Sequence, residues 1–201
     1  MRYTTILFDL DGTLLDTLDD LTDAVNRTMR RFVGNGSRRL IELAAGADHP
    51  QLEEILAVYA ADYDQNCLVK TAPYPGIMDA MRTLKAQGRR LGIISNKPDS
   101  AVNALADALF PGLTDIAVGD RPGARRKPAP DAVLAAMEAL GAKPEETVYI
   151  GDSDVDVRTA QAAGVRCVSV TWGFRDRDEL VAAGAETFAD DCTALLRVLE
   201  A

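Results

Sequence analysis

Short apolar runs rich in Ile, Val and Phe recur along the chain, and each is followed by a stretch with apolar residues at helical spacing. The runs are TILFDL (5–10), RLGIIS (90–95), DIAVG (115–119), TVYIG (147–151), RCVSVT (166–171) and a shorter one at 186–189. Continuous apolarity over strand length marks strands buried on both faces, as in a parallel sheet covered by helices. Helical spacing runs through 76–87, 99–109, 130–140, 155–163, 177–183 and 192–199, with Gly88, Gly141, Gly164 and Gly184 placed where helices would stop. The alternation predicts an α/β fold built on a doubly wound parallel sheet.

One interval breaks this rhythm. About 80 residues separate the first run from the second, far more than the roughly 10–12 a crossover needs. Residues 19–32, 37–45 and 51–66 read as three helices with no strand among them, and TAPYPG (71–76), with two prolines and a glycine, reads as a return hinge. The expectation is a small helical domain at 16–75, inserted into a core formed by 1–15 and 76–201.

Composition narrows the function. The 201 residues, 47% hydrophobic and 26% charged, exclude a disordered or collagen-like chain. With 31 acidic against 22 basic residues and a formal charge of -9, no general attraction to nucleic acid or to a membrane surface is expected. No apolar run reaches the roughly 18–20 residues of a membrane span, and Asp9 and Asp11 interrupt any signal-peptide core, so a cytoplasmic location is expected. Cys67, Cys167 and Cys192 are odd in number and far apart, a pattern of reduced thiols rather than of disulfides or zinc ligands. The single His49 leaves no material for Ser–His catalysis or a His-rich metal site.

In a doubly wound sheet ligands bind at the carboxyl ends of the strands, which gives weight to polar residues just after the apolar runs. Four clusters stand there: DLDGTLLDT with Asp9 and Asp11, SNKP with Ser95, Asn96 and Lys97, RRKPAPD with Lys127, and GDSDVD with Asp152, Asp154 and Asp156. Each has an ordinary explanation by itself, as a turn pair, a helix N-cap, a solvated lysine or acids favoured by a helix dipole. Together they would bring carboxylates from two strands, a hydroxyl and an ammonium to one edge, an inventory that suits phosphoryl transfer. Clustered carboxylates need a cation, and hard oxygen ligands without His or thiolate favour Mg²⁺. A carboxylate approaching a phosphate dianion meets repulsion on the order of 4 kcal/mol per charge pair at about 4 Å. Mg²⁺ and Lys127 would offset it, while backbone N–H groups of the Asp11-Gly12-Thr13 turn and the Ser95 hydroxyl would hold the phosphoryl oxygens.

These segments, in this order, resemble the haloacid dehalogenase superfamily, whose pattern is DxDGT, then Ser or Thr after the second strand, then Lys, then GDxxxD. The longer strings FDLDGTLLDT, ISNKP, RKPAPD, YIGDSDVDVRTAQAAGV and VTWGF are similar to its phosphoglycolate phosphatase branch. The resemblance implies a Rossmann-like core with a helical cap. It also implies a Mg²⁺-dependent phosphomonoester hydrolase acting through an aspartyl-phosphate on a small phosphorylated metabolite, 2-phosphoglycolate foremost. By matched position Asp9 is the implied nucleophile and Asp11 the implied acid and base. Asp9, the Asp11 backbone carbonyl and Asp152 are the implied Mg²⁺ ligands. Gly12, Thr13, Ser95, Asn96 and Lys127 form the phosphate-binding set, with Lys127 also paired to Asp9, and Asp156 orients Lys127 or metal-bound water. Asp154 matches a variable position. Dehalogenases lack an acid where Asp11 stands, so Asp11 points to phosphate chemistry.

In related caps a loop of the type G-x-x-R faces the site, and Asn35, Gly36, Ser37 and Arg38 stand at the matching place. Arg38 would meet a substrate carboxylate or second phosphate, unless Arg38 and Arg39 simply form a solvated first turn. The loop and helix that relatives carry before this point are missing, since Met29–Phe32 runs straight into Val33 and Gly34, so a shortened cap is expected. Apolar surface left bare by that shortening keeps both a monomer and a homodimer open. Alternatives on the same fold are a sugar-phosphate mutase, a pyrophosphatase, and an inactive metal-retaining scaffold. The complete set Asp9, Asp11, Ser95, Lys127 and Asp152 argues against the last.

Overall fold

The structure is a computed structural model that describes residues 3–31, 51, 54, 57–58, 61–62, 65–66, 68–121 and 123–200. Its strands are Thr5–Phe8 (β1), Leu15–Asp16 (β2), Ala72–Pro73 (β3), Arg90–Pro98 (β4), Ile116–Asp120 (β5), Thr147–Gly151 (β6), Arg166–Val170 (β7) and Phe188–Ala189 (β8). The helices are Leu18–Arg31 (α1), Ile77–Ala86 (α2), Asp99–Leu109 (α3), Asp131–Leu140 (α4), Asp154–Ala163 (α5), Arg177–Ala182 (α6) and Cys192–Glu200 (α7). Six strands form one sheet in the order β5-β4-β1-β6-β7-β8, every neighbouring pair parallel, and β2 and β3 pair separately. This is the expected α/β, doubly wound architecture.

The order explains where a ligand would sit. From β1 the chain moves to β4 and β5 on one side, then returns to β6 on the other, so β1 lies at the switch point where a crevice opens beyond the strand ends. All of β1 and β6 is buried, as the unbroken apolar runs require. Leu7, Ile94 and Tyr149 pack with Val133, Met137 and Ala160 in a core cluster between the sheet and helices α4 and α5. Gly141 and Gly164 end those two helices in the left-handed conformation that a side chain would oppose.

One boundary differs from expectation in a way that matters. The second apolar run was expected to end at Ser95, yet β4 continues to Pro98, with a register shift between Ile94 and Pro98 against β5. The Asp99 carboxylate accepts the Gly119 N–H at 2.8 Å and Pro98 pairs with Asp120, so the strand is carried past its apolar part by polar contacts at its edge. The N-cap of α3 is therefore Pro98, which removes the capping explanation for Ser95.

The chain divides into two compact units, Met1–Asp16 with Pro73–Ala201, and Thr17–Ala72. In the second, the described residues 54, 57–58, 61–62 and 65–66 are helical. Asp20, buried near the start of α1, accepts hydrogen bonds from the backbone N–H groups of Lys70 and Thr71 and from Thr71 Oγ1 at 2.6 Å. That carboxylate ties the beginning of the unit to its end. The expected helix 37–45, the loop residues Asn35, Gly36, Ser37 and Arg38, His49 and Cys67 lie outside the described residues. Cys167 and Cys192 are free thiols, and no helix among the described residues is long and apolar enough to cross a membrane.

Candidate active site

The site grows from the ends of the two central strands. Asp9 continues the β1 ladder by one step, its N–H donating to Ile150 O at 2.7 Å, so its carboxylate emerges from a rigid strand while staying 4% exposed. Asp152 follows β6, and its Oδ2 accepts the Phe174 N–H at 2.7 Å. Gly12, at φ 79°, and Gly173 both lie so close to the Asp152 carboxyl that a Cβ at either place would overlap it. Asp156 sits in the first turn of α5 and is locked by a capping box: Oδ2 accepts from Ser153 Oγ at 2.6 Å and Ser153 N at 3.1 Å, while Asp156 N donates to Ser153 Oγ. Asp9, Asp152 and Asp156, all buried, can each offer an oxygen to a common point, these atoms lying within 4.8 Å of one another.

Two ammonium groups meet these acids. Lys127 Nζ donates to Asp9 Oδ1, to Asp156 Oδ1 at 2.8 Å and to the Tyr149 hydroxyl at 3.2 Å. Lys97 Nζ donates to Asp11 Oδ1 at 2.7 Å from a side chain that is 7% exposed. The Asn96 amide holds the Lys127 loop by two bonds, accepting Lys127 N–H at 2.8 Å and donating to Lys127 O at 3.0 Å.

Electrostatics mark this cluster as short of positive charge. Burial drives the Asp9 carboxyl well above the usual carboxylate range, the charge of Asp156 adds to it, and Lys127 pulls the other way. Burial likewise pushes Asp152 up to about 6, against the opposing Phe174 N–H. For Lys127 burial works to lower the value, but the Asp156 and Asp9 carboxylates outweigh it and hold the ammonium well above an ordinary lysine. Four carboxylates, Asp9, Asp11, Asp152 and Asp156, thus face Lys97 and Lys127. The surplus is what one divalent cation would neutralise, and an all-oxygen donor set fits a hard one. Because both Asp156 oxygens already serve Lys127 and Ser153, Asp9 and Asp152 are the carboxylates best able to turn toward such an ion.

The other expected residues are distributed unevenly. Ser95 is buried, its Oγ accepting Lys97 N–H at 3.2 Å. Gly12 N–H, expected on a phosphoryl oxygen, donates to Leu15 O at 2.9 Å inside its own turn. Thr13 is fully buried; its carbonyl accepts Trp172 Nε1–H at 3.0 Å, and its Oγ1 has no hydrogen-bond partner among the described residues. Asn96, expected among the phosphate ligands, instead clamps the Lys127 backbone. Asp154 stands apart from the cluster, paired with Arg158 at 3.3 Å. Lys97 was named in its cluster but given no role, and the Tyr149 hydroxyl was not singled out from the sequence. The only signal for Lys97 was its place in SNKP, and nothing in TVYIG separates Tyr149 from its apolar neighbours.

Comparison with known proteins adds to this geometry. The haloacid dehalogenase-like hydrolase family matches residues 6–170. The chain is 35% identical to phosphoglycolate phosphatase of Pseudomonas putida, over 95% of this chain and 78% of that protein. It is 34% identical to phosphoglycolate phosphatase of Rhodospirillum rubrum, over 94% and 88%. The crystal structure of a candidate phosphoglycolate phosphatase from Lactobacillus delbrueckii subsp. bulgaricus superposes with a TM-score of 0.86 at 32% identity, covering 99% of both chains. That of CbbY from Rhodobacter sphaeroides in complex with phosphate does so with a TM-score of 0.82 at 27% identity, covering 99% and 100%.

Proposed function

Since this chain belongs to the haloacid dehalogenase-like hydrolase family and is a phosphatase within it, we propose that it is a Mg²⁺-dependent phosphomonoesterase acting through an aspartyl-phosphate, with 2-phosphoglycolate as the leading substrate. The observation that carries the chemistry is the buried array of Asp9, Lys127, Asp156 and Asp152 at the switch point of the sheet. The names of the relatives support the substrate.

In this reading an Asp9 oxygen attacks phosphorus, the bond from phosphorus to the ester oxygen breaks, and the Asp11 carboxyl gives its proton to the departing alkoxide. Asp11, now ionised, takes a proton from water as that water attacks the acyl phosphate, which releases inorganic phosphate and restores the Asp9 carboxylate. Lys127 keeps the nucleophile oriented by bonding one of its oxygens, and Lys97 orients the Asp11 carboxyl through Oδ1. Mg²⁺ held by the Asp9 carboxylate, the Asp11 backbone carbonyl and Asp152 would supply the missing positive charge and polarise the phosphoryl oxygens. Ser95 and the Thr13 hydroxyl, both buried, are the neutral donors proposed for the phosphoryl group.

The test is a panel of 2-phosphoglycolate, pyrophosphate and hexose phosphates with Mg²⁺, read as release of inorganic phosphate. Phosphoglycolate should give the highest kcat/KM, and Asp9→Asn should lose at least about a thousandfold in kcat while its circular dichroism is unchanged. Equal rates for Asp9→Asn and the parent would end the proposed mechanism.

A further inference from the structure

The Lys127 ammonium has three N–H groups and no acceptor. All three are accounted for by groups from three different elements: Asp9 at the end of β1, Asp156 in α5, and the hydroxyl of Tyr149 in β6. Two of these partners are charged and belong to the familiar pattern of motifs. The third is not. Tyr149 is fully buried, paired in register with Leu7 and Cys167, and its ring is part of the core cluster. An apolar ring would fill that space equally well. The hydroxyl, however, accepts from Lys127 at 3.2 Å and stands 3.3 Å from Asp156 Oδ1 and 3.5 Å from Ile94 O, to which its own proton can be given. It thus closes a triangle with Lys127 and Asp156, and it is the one uncharged corner.

We propose that Tyr149 is a positioning residue of the phosphoryl-transfer site, its hydroxyl serving as the third anchor that fixes the direction of the Lys127 ammonium and so the orientation of the Asp9 carboxylate. The proposal rests on the functional reading above. Two charged partners leave the ammonium free to swing about the axis between them; a third, set on a core strand, removes that freedom. A loosened Lys127 would let Asp9 sample orientations from which attack is not in line, and small misplacements of a reacting group are costly. Phosphate binding depends on the charge of Lys127 and less on its direction, so the rate of transfer should suffer more than affinity.

The variants are Tyr149→Phe, which keeps the ring and removes the hydroxyl, and Tyr149→Met, a second apolar replacement should the first pack poorly. With enzyme in excess over an aryl phosphate in Mg²⁺, the single-turnover rate constant should fall about tenfold in both. The dissociation constant for inorganic phosphate should stay within about twofold, and the folded fraction read by circular dichroism should be unchanged. A lesion that only lowered the folded fraction would show in circular dichroism and leave the rate constant at saturating enzyme alone. A parental rate constant in either folded variant, or a loss confined to the folded fraction or to phosphate affinity, overturns the proposal. If the parent protein itself turns over no phosphomonoester, the functional reading fails and this inference fails with it. An active parent with unaffected variants removes only the role of Tyr149.

Discussion

The segment 121–127 carries Arg121, Arg125, Arg126 and Lys127, and each of these cations is paired with an aspartate. The guanidinium groups meet Asp99, Asp131 and Asp120 at 2.7–3.0 Å with side chains 52–75% exposed, whereas the Lys127 side chain is 6% exposed against Asp9 and Asp156. The acids answer differently. The hydrogen bond from Arg125 holds Asp131 below its ordinary value, and Asp99 is held below its own, where the Gly119 N–H and Arg121 overcome an opposing effect of burial. Asp9, with an equally close cation, is held above. A partner charge is therefore not enough to hold a carboxyl below its ordinary value; once water is excluded and several acids share the space, desolvation and mutual repulsion decide the direction. The exposed rim needs nothing further, while the buried centre needs a cation.

Three measurements bear on that contrast. The largest effect belongs to Asp156→Ala, which strips the buried Lys127 of a partner and leaves the Ser153 and Asp152 N–H groups unmet. Urea unfolding should show a loss of about 3–5 kcal/mol, and a loss near zero would mean the centre is more hydrated than its burial implies. Next comes pH. Asp152 binds its proton more tightly when folded, with a value near 6 against 3.8 for the ordinary side chain, so this group stabilises the fold below about pH 4 and loses that effect as pH rises through about 6. In chelator, stability should fall by about 3 kcal/mol across that window from Asp152 alone, the raised Asp9 adding to the fall. Added Mg²⁺ should reverse the fall at pH 7, and Asp152→Asn should make the slope shallower; stability rising from pH 4 to 6 in chelator would contradict the assignment. The rim acids work in the opposite sense and at lower pH: Asp99 and Asp131 contribute above about pH 4 and lose their effect as pH drops through their lowered values, outside the window that Asp152 shares with the raised Asp9. The smallest effect is expected of Arg121→Ala, at most about 1 kcal/mol with kcat unchanged. A larger cost would place the rim in the same class as the centre.

The fold and much of this centre were legible in the amino-acid order. Asp9, Asp11 and Asp152 stand at the ends of apolar runs and Asp156 four residues beyond Asp152, and a strand buried on both faces reads as such without any partner being known. Lys97 was named in SNKP but its role was obscured, and the apolar run that stops at Ser95 hid the rest of the strand; the register shift and the Asp99 contact that carry β4 onward are made with β5, about 20 residues away in sequence. Tyr149 was obscured for another reason. In a strand buried on both faces every side chain looks like core, and whether a phenol's far end reaches a lysine from another loop depends on the packing around it.

Local pattern alone determined the six strands of the main sheet, most of the polar residues near their carboxyl ends, and the excess of acid over base, because each depends on neighbours in sequence; the short β2 and β3 and the extension of β4 to Pro98 were not in it. The tertiary structure decided which of those acids are dry, which cations they share, and that Asn96 and Gly12 turn their polar groups to backbone. These properties follow from the distance to water and to other strands, which no stretch of sequence carries by itself.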